Sequence, residues 1–129
     1  MRCLHGEVVA GMEMKKYLII INDAPYGTER PYNGLRLALN LTKRDALVVR
    51  VYLIGDGVFC ARKGQTTPDG YYNAERMIKS LAKRGEVATS GSCSQARGLG
   101  LDDLTEGVRM SNMDLLGDWT VESDKVIVY

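Results

Sequence analysis

A cysteine flanked by serines is the most reactive side chain that the sequence offers. Cys93 lies in the segment SGSCSQARGL, after an apolar stretch and at the expected start of a short helix. Free amide groups at a helix start favour the thiolate over the thiol, and Arg97, four residues further on, adds a positive charge. The pattern predicts a nucleophilic thiolate at Cys93, supported by Ser92, Ser94 and Arg97.

The helix start alone is too weak to make Cys93 reactive. An unperturbed cysteine has a pKa of about 8.5, and a helix end worth about 0.3–1 kcal/mol lowers it by less than about one unit. Arg97 or a partner surface must supply the rest, unless the working group is a persulfide, which is more acidic than a thiol. A buried cysteine that packs as a small apolar residue is the alternative, and spacing alone does not separate the two.

The single histidine, His5, restricts the chemistry open to Cys93. His5 lies near the amino terminus, in a segment that we expect to lie outside the fold. Hydrolases that pair a cysteine or serine with histidine, and zinc sites built on histidine, would lack a necessary residue. Sulfur transfer needs no histidine, because the thiolate or persulfide is itself the nucleophile and no oxyanion forms.

Two further loops are expected to follow buried strands at the same edge as Cys93. One contains Asp23 and Tyr26, and the other begins with Gly55 and Asp56. Ligands of open parallel sheets collect beyond the carboxyl ends of the strands, so these loops are candidate walls of a cleft. The turn at Gly55 could also bind a small anion through its amides, although a turn after a strand uses the same residues.

Nucleotide-binding motifs are incomplete. Gly98 and Gly100 do not complete GxGxxG, and no GxxxxGK[ST] motif occurs. We therefore expect no cofactor and no metal. A flavodoxin-like nucleotide binder is the weakest functional hypothesis, after the two that are given at the end of this section.

The three cysteines, Cys3, Cys60 and Cys93, form neither a disulfide framework nor a CxxC pair. The simplest interpretation is a reducing, cytoplasmic compartment. Cys60 is a second thiol near the edge that carries Cys93. Packing is its expected role, and a resolving function stays open.

The composition is that of one globular domain. The 129 residues are 45% apolar and 26% charged, and 17 basic residues nearly balance 16 acidic ones. The net charge of +1 predicts neither a nucleic-acid groove nor an anionic membrane partner. No apolar stretch approaches the roughly 20 residues that cross a bilayer. Residues 1–13 lack the pattern of a secretory signal. Met14, followed by two lysines just before the first predicted strand, looks like a natural start, so we expect an extension over 1–13 and a single domain over 14–129.

Alternating strands and helices must position these loops. Near-continuous apolar runs closed by glycine or proline predict strands, and apolar residues spaced by three and four predict helices. Such alternation indicates an α/β fold with a mostly parallel sheet covered on both faces. The predicted strands span 17–22, 48–54, 86–89 and 126–129; the predicted helices span 32–43, 72–83, 94–99 and 111–119, with a further short segment at 108–110.

Several segments together resemble the DsrE/DsrF-like family in order and spacing. They are GDGV at 55–58, CSQARGL at 93–99, LTEGV at 104–108, SNMDLLGDW at 111–119 and SDKVIVY at 123–129. The loop APYG at 24–27 is also similar to the family's start. The resemblance covers nearly all of 14–129, and its CxxARG element is the most specific part.

This resemblance implies a three-layer α/β/α fold with a five-stranded, mostly parallel sheet, and assembly into homotrimers or homohexamers. It also implies that Cys93 accepts sulfane sulfur as a persulfide and hands it on, so the expected partners are donor and acceptor carrier proteins. Relatives of this kind work in sulfur oxidation or reduction, or in transfer-RNA thiolation. The alternative function is a non-catalytic oligomeric scaffold or small-anion-binding module of the same fold.

Overall fold

The computed structural model describes residues 8–9 and 12–129. Two short strands, β1 (Val8–Val9) and β2 (Met12–Glu13), pair antiparallel. Most of the predicted extension over 1–13, including Cys3 and His5, lies outside the described residues. Its separation from the domain therefore stays a prediction.

A five-stranded parallel sheet forms the centre of the molecule. Each pair of neighbouring strands is parallel, as near-continuous apolar runs predict. The segment predicted at 108–110 is a strand at one edge of the sheet. The five strands are β3 (Lys15–Ile21), β4 (Leu47–Leu53), β5 (Glu86–Ser90), β6 (Arg109–Ser111) and β7 (Lys125–Val128), in the spatial order β6-β5-β4-β3-β7.

Four helices connect the strands: α1 (Arg30–Leu41), α2 (Ala74–Arg84), α3 (Gly91–Ala96) and α4 (Met113–Glu122). The helix predicted over 94–99 is wrong in position, because α3 begins at Gly91. Ser90 accepts a hydrogen bond from the backbone N–H of Cys93 at 3.3 Å and so caps the helix earlier. In the part of the chain that the structure describes, no helix has the length and apolar composition needed to span a membrane.

Alternate strand residues face two separate cores, one on each side of the sheet. On one face, Ile19 and its neighbours pack against α1 and α2, for example against Leu35 of α1. On the other face, Leu18 and Tyr52 pack against Trp119 of α4. The arrangement confirms the predicted three-layer α/β/α fold.

The chain leaves the neighbouring strands β5 and β6 toward opposite faces of the sheet. Cys93 and Leu99, in and after α3, join the core that contains α1 and α2. α4, which follows β6, packs on the other face. Connections that diverge in this way open a crevice beyond the carboxyl ends of the two strands, and Cys93 lies at that crevice.

Candidate active site

The Cys93 sulfur is half-buried between the start of α3 and a 3₁₀ helix, Gly55–Ala61, that follows β4. Ser90 holds the start of α3 in place through its cap. The backbone N–H of Gly55, in the turn after β4, is one of the groups that lower the pKa of the Cys93 thiol. Gly55 has a φ of +57°, a left-handed conformation that glycine adopts without strain. Glycine is therefore the residue type that suits the turn that presents this N–H.

Hydrogen-bond donors and a cation lower the pKa of the Cys93 thiol below its usual value. The largest effect is a hydrogen bond from the Ser90 side chain, which partial burial opposes. The N–H of Gly55, the charge of Arg97 and a hydrogen bond from Ser92 then lower the pKa further. Each of these groups stabilises the thiolate more than the thiol. Cys93 is consequently more ionised at neutral pH than an unperturbed cysteine.

Arg97 is held beside Cys93 by two hydrogen bonds. Its Nε donates to Oδ1 of Asp56 at 2.9 Å, and its Nη1 donates to the Cys93 carbonyl oxygen at 3.1 Å. The Arg97 side chain is 29% exposed and the Asp56 side chain 61% exposed. Asp56 therefore fixes the position of the guanidinium and partly neutralises its charge.

Three residues predicted for the cleft make their contacts elsewhere. Ser94 is buried and donates to the Ser90 carbonyl oxygen at 2.9 Å, so it stabilises the turn of α3. Asp23 accepts a hydrogen bond from Arg30 at 2.8 Å. Tyr26 hydrogen-bonds to the Gln65 side chain. Their contacts stabilise the loops around the site instead of touching the sulfur.

Cys60 lies inside the 3₁₀ helix and has no exposed surface. Its thiol is 3.8 Å from the carbonyl oxygen of Asp23, to which it donates. Burial raises the pKa of Cys60 to about 12. A thiol in this environment is neutral at physiological pH, which fits packing and does not favour a resolving role.

Ser90, which caps the helix that carries Cys93, is a candidate site residue that the sequence analysis did not single out. The signal for Ser90 was a serine three residues before Cys93, which is the spacing of a helix cap. The described residues contain no group of three or more His, Cys, Asp or Glu side chains suited to holding a metal ion.

Related sequences match the chain almost from end to end. The sequence model of the DsrE/DsrF-like family matches residues 15–129. The uncharacterized protein MK0008 of Methanopyrus kandleri is 43% identical over 116 residues, which cover 86% of this chain and 91% of that protein. Protein YchN of Escherichia coli is 35% identical over 118 residues, which cover 90% of this chain and 100% of that protein.

Solved structures share the fold. The crystal structure of the YchN protein from Escherichia coli has a TM-score of 0.85 at 34% identity and covers 90% of this chain. MTH1491 from Methanobacterium thermoautotrophicum, a protein of unknown function, has a TM-score of 0.71 at 19% identity, which shows a likeness of fold alone. The family match and two relatives of 43% and 35% identity agree, and the chain therefore belongs to the DsrE/DsrF-like family.

Proposed function

We propose that this protein is a sulfur carrier in which Cys93 accepts sulfane sulfur as a persulfide and passes it to a thiol of a partner protein. The observation that carries the proposal is the position of Cys93 in the first turn of α3, where Ser90 caps the helix and Asp56 holds Arg97 beside Cys93. Membership of a family of sulfur-relay components supports it.

In the first step, the Cys93 thiolate attacks the outer sulfur of a donor persulfide. A sulfur–sulfur bond forms at Cys93 while the bond between the donor's two sulfurs breaks, and the donor leaves as a thiolate that takes up a proton. No external oxidant or reductant is needed, because the sulfane sulfur only exchanges one sulfur partner for another. The step requires an ionised and accessible sulfur, as the half-buried Cys93 provides.

In the second step, an acceptor thiolate attacks the outer sulfur of the Cys93 persulfide. The bond to Cys93 breaks, and Cys93 leaves as a thiolate. Thiols of lower pKa leave faster, so the groups that activate Cys93 as a nucleophile also favour its release. The same groups around Cys93 thus favour both the loading of sulfur onto Cys93 and its release to the acceptor.

The surface beside Cys93 suits a protein partner. Ser92, Gln95 and Ala96 are exposed residues of the same short helix, and Gly98 follows them at the surface. None of these side chains is bulky, so a partner can bring a sulfur-bearing loop close to Cys93. We therefore propose that both the donor and the acceptor are proteins.

We also propose that the chain forms homo-oligomers through apolar residues of β7 and α4. Val126 and Val128 of β7 are 40% and 61% exposed, and Met113 and Val121 of α4 are 64% and 87% exposed. Among the described elements, α4 is the one helix on this side of the sheet, so much apolar surface stays open there. Apolar surface of this kind is typical of an interface.

The intact mass of the protein tests the carrier role. After incubation with a persulfide donor and removal of the donor, we expect a gain of one sulfur atom that disappears when an acceptor thiol is added. Cys93→Ala should show neither change. A protein that gains no sulfur, or that keeps its sulfur in the presence of excess thiol, is not a carrier; an unimpaired cellular function of Cys93→Ala would favour the scaffold hypothesis instead.

A further inference from the structure

Four tyrosines form a cluster at the surface, where the loop after β3 meets the residues before α2. Tyr72 lies at the centre of this tyrosine platform, with its ring centroid 4.1 Å from that of Tyr32, 5.2 Å from that of Tyr71 and 5.5 Å from that of Tyr26. Tyr26 is 43% exposed and Tyr71 is 59% exposed. Exposed aromatic rings that are grouped in this way are typical of an interaction surface.

A groove of about 270 Å³ adjoins the tyrosine platform. Pro25 and Tyr26, from the loop after β3, line it together with Phe59, from the 3₁₀ helix Gly55–Ala61. Arg62 also lines the groove, and no acidic side chain of the described residues does so. Within the part of the chain that the structure describes, the exposed Arg62 side chain forms no ion pair. The groove is therefore mainly apolar and carries one positive charge that no carboxylate offsets.

Polar contacts hold the walls of the groove in place. The hydroxyl of Tyr72 donates to the carbonyl oxygen of Pro25 at 3.1 Å, and the hydroxyl of Tyr26 hydrogen-bonds to the Gln65 side chain. The Gln65 amide in turn donates to the carbonyl oxygen of Arg62 at 2.9 Å. Because these hydroxyls are used within the chain, a ligand meets aromatic rings in a groove that needs little reorganisation.

The shape and position of the groove favour one mode of peptide recognition. An added strand needs a free sheet edge, whereas β3 and β4, which lead to the groove, are interior strands of the sheet. A bound helix needs a row of pockets, and this groove is smaller than the about 300–1,000 Å³ that is usual for ligand sites. A polyproline II segment packs its proline rings on aromatic walls and loses little conformational entropy on binding.

We propose that the groove and the tyrosine platform bind an extended, proline-containing segment of a partner protein, and that an acidic residue of this segment pairs with Arg62. The proline rings pack against Tyr26, Phe59 and Tyr71. The carboxylate forms a charge-assisted hydrogen bond with the guanidinium of Arg62, which supplies the charge complementarity of the contact.

The 3₁₀ helix connects this groove to the candidate active site. Asp56 holds Arg97 beside Cys93 through a contact of 2.9 Å, and Phe59 follows Asp56 by three residues. At about 2 Å of rise per residue, the two positions are about 6 Å apart along the helix. A partner that is anchored in the groove is therefore held next to Cys93. The inference rests on the proposed carrier role, which it deepens by naming the segment that the partner uses.

Peptide titration into the full chain tests the inference. The probe is a fluorescein-labelled octapeptide of prolines that ends in two glutamates, and its binding is measured by fluorescence anisotropy. Tyr71→Ala should weaken binding about tenfold, as is usual when an aromatic anchor is truncated. The exposed Tyr71 side chain contributes little to the fold, so the urea midpoint should stay that of the wild type. Arg62→Gln should weaken binding about threefold, within the range of an exposed ion pair.

Matched variants and peptides separate this contact from general electrostatics. Lys63→Gln removes the same charge one residue further along, and Lys63 lines a different cavity, so binding should be unchanged. Arg62→Glu should reverse the preference, toward a peptide that ends in two lysines. A peptide with glycine in place of proline keeps the charges and should bind about tenfold more weakly, because it is not preorganised.

Three outcomes would overturn the inference. They are the absence of saturable binding of the proline peptide to the wild type, equal binding of the proline and glycine peptides, and equal losses in Arg62→Gln and Lys63→Gln. Cys93→Ala should bind the peptide as the wild type does. Sulfur loading is measured without the peptide, so a failure of Cys93 to load would overturn the proposed function and leave these titrations as predicted.

Discussion

At the scale of single residues, the pairing of Arg97 with Asp56 controls how much positive charge acts on the Cys93 sulfur. The two side chains meet at 2.9 Å, and both are partly exposed, so solvent screens their effect. Asp56→Asn should remove the negative charge that offsets Arg97 and so lower the midpoint pH of Cys93 alkylation. Arg97→Gln should raise it, by less than about one unit because of the screening.

Arg62→Gln is the control for this pair, since Arg62 is an exposed arginine at the end of the same 3₁₀ helix. It should leave the midpoint where it is. Equal shifts in Arg62→Gln and Arg97→Gln would mean that general surface charge, and not the placement of Arg97, acts on the sulfur.

Cys60 predicts how the stability of the fold depends on alkaline pH. Its pKa is about 12 in the folded protein, because of burial, and about 8.5 in an unfolded chain. A group whose folded pKa is raised contributes stability that is fully present below the unfolded pKa and is lost as pH rises toward the folded value. The melting temperature of the wild type should therefore fall steadily above about pH 8.5.

Cys60→Ala removes this titration and should show a shallower decline of the melting temperature over the same pH range. The slopes are compared, because the substitution also leaves a small cavity that lowers stability at every pH. Parallel declines in the two proteins would show that the pKa of Cys60 is no higher in the folded protein than in the unfolded chain.

The sequence was enough to propose Cys93 and Arg97 as candidate site residues, because a helix start and a spacing of four are local features. Ser90 was not singled out, since its cap depends on where the folded chain begins the helix. A serine that ends a strand has the same local pattern whether or not it caps the next helix.

At the scale of elements, the turn after β4 must approach the end of β3 closely to present the N–H of Gly55. Gly57 makes that approach, and its own N–H donates to the carbonyl oxygens of Asn22 and Ile54 at 3.1 and 2.9 Å. A Cβ at this position would overlap the carbonyl oxygen of Ile21. Gly57→Ala should lower the free energy of unfolding by about 3 kcal/mol, measured by urea titration.

Gly27→Ala provides the comparison, because a Cβ added at Gly27 would face open space. Its urea midpoint should stay within the experimental error of the wild type. If the two substitutions had the same small effect, the turn could move away from β3, and the position of the Gly55 N–H would not be fixed by close packing.

Element boundaries were predictable where a period extends over many residues. The strands and the longer helices follow apolar runs and spacings of three and four, and they lie close to the predicted ranges. The 3₁₀ helix at Gly55–Ala61 was missed, because a short i→i+3 turn leaves no repeating apolar pattern. The start of α3 was misplaced, because it depends on one cap at Ser90.

At the scale of the whole molecule, unequal cover of the two sheet faces predicts self-association. α1 and α2 cover one face, whereas α4 covers the other and leaves Val126 and Val128 of β7 partly exposed. Val128→Asp should shift the protein toward smaller species in analytical ultracentrifugation, because burying a carboxylate in an interface is unfavourable.

Leu101→Asp is matched to this variant, since Leu101 is 60% exposed and Val128 is 61% exposed. Leu101 begins a short 3₁₀ helix, Leu101–Asp103, before β6 and belongs to neither β7 nor α4, so its substitution should leave the assembly unchanged. A wild type that sediments as a monomer, or an equal response to the two substitutions, would rule out the proposed interface.

The α/β class could be predicted because alternating strands and helices allow few other arrangements. The crevice at Cys93 could not, since it depends on the chain leaving β5 and β6 toward opposite faces. That choice follows from the position of β7, which pairs with β3 at the far side of the sheet. Such long-range pairing has no local pattern in the sequence.

The most direct test of the account is where sulfur goes in the native protein. After brief exposure to a persulfide donor, remaining thiols are blocked and the protein is digested with trypsin. Cys60 falls in the peptide Val51–Arg62 and Cys93 in Gly85–Arg97, so each site is read separately. We predict one added sulfur atom on Gly85–Arg97 and none on Val51–Arg62. Sulfur on the Cys60 peptide, or an unmodified Cys93 peptide, would contradict the claim that Cys93 is the carrier.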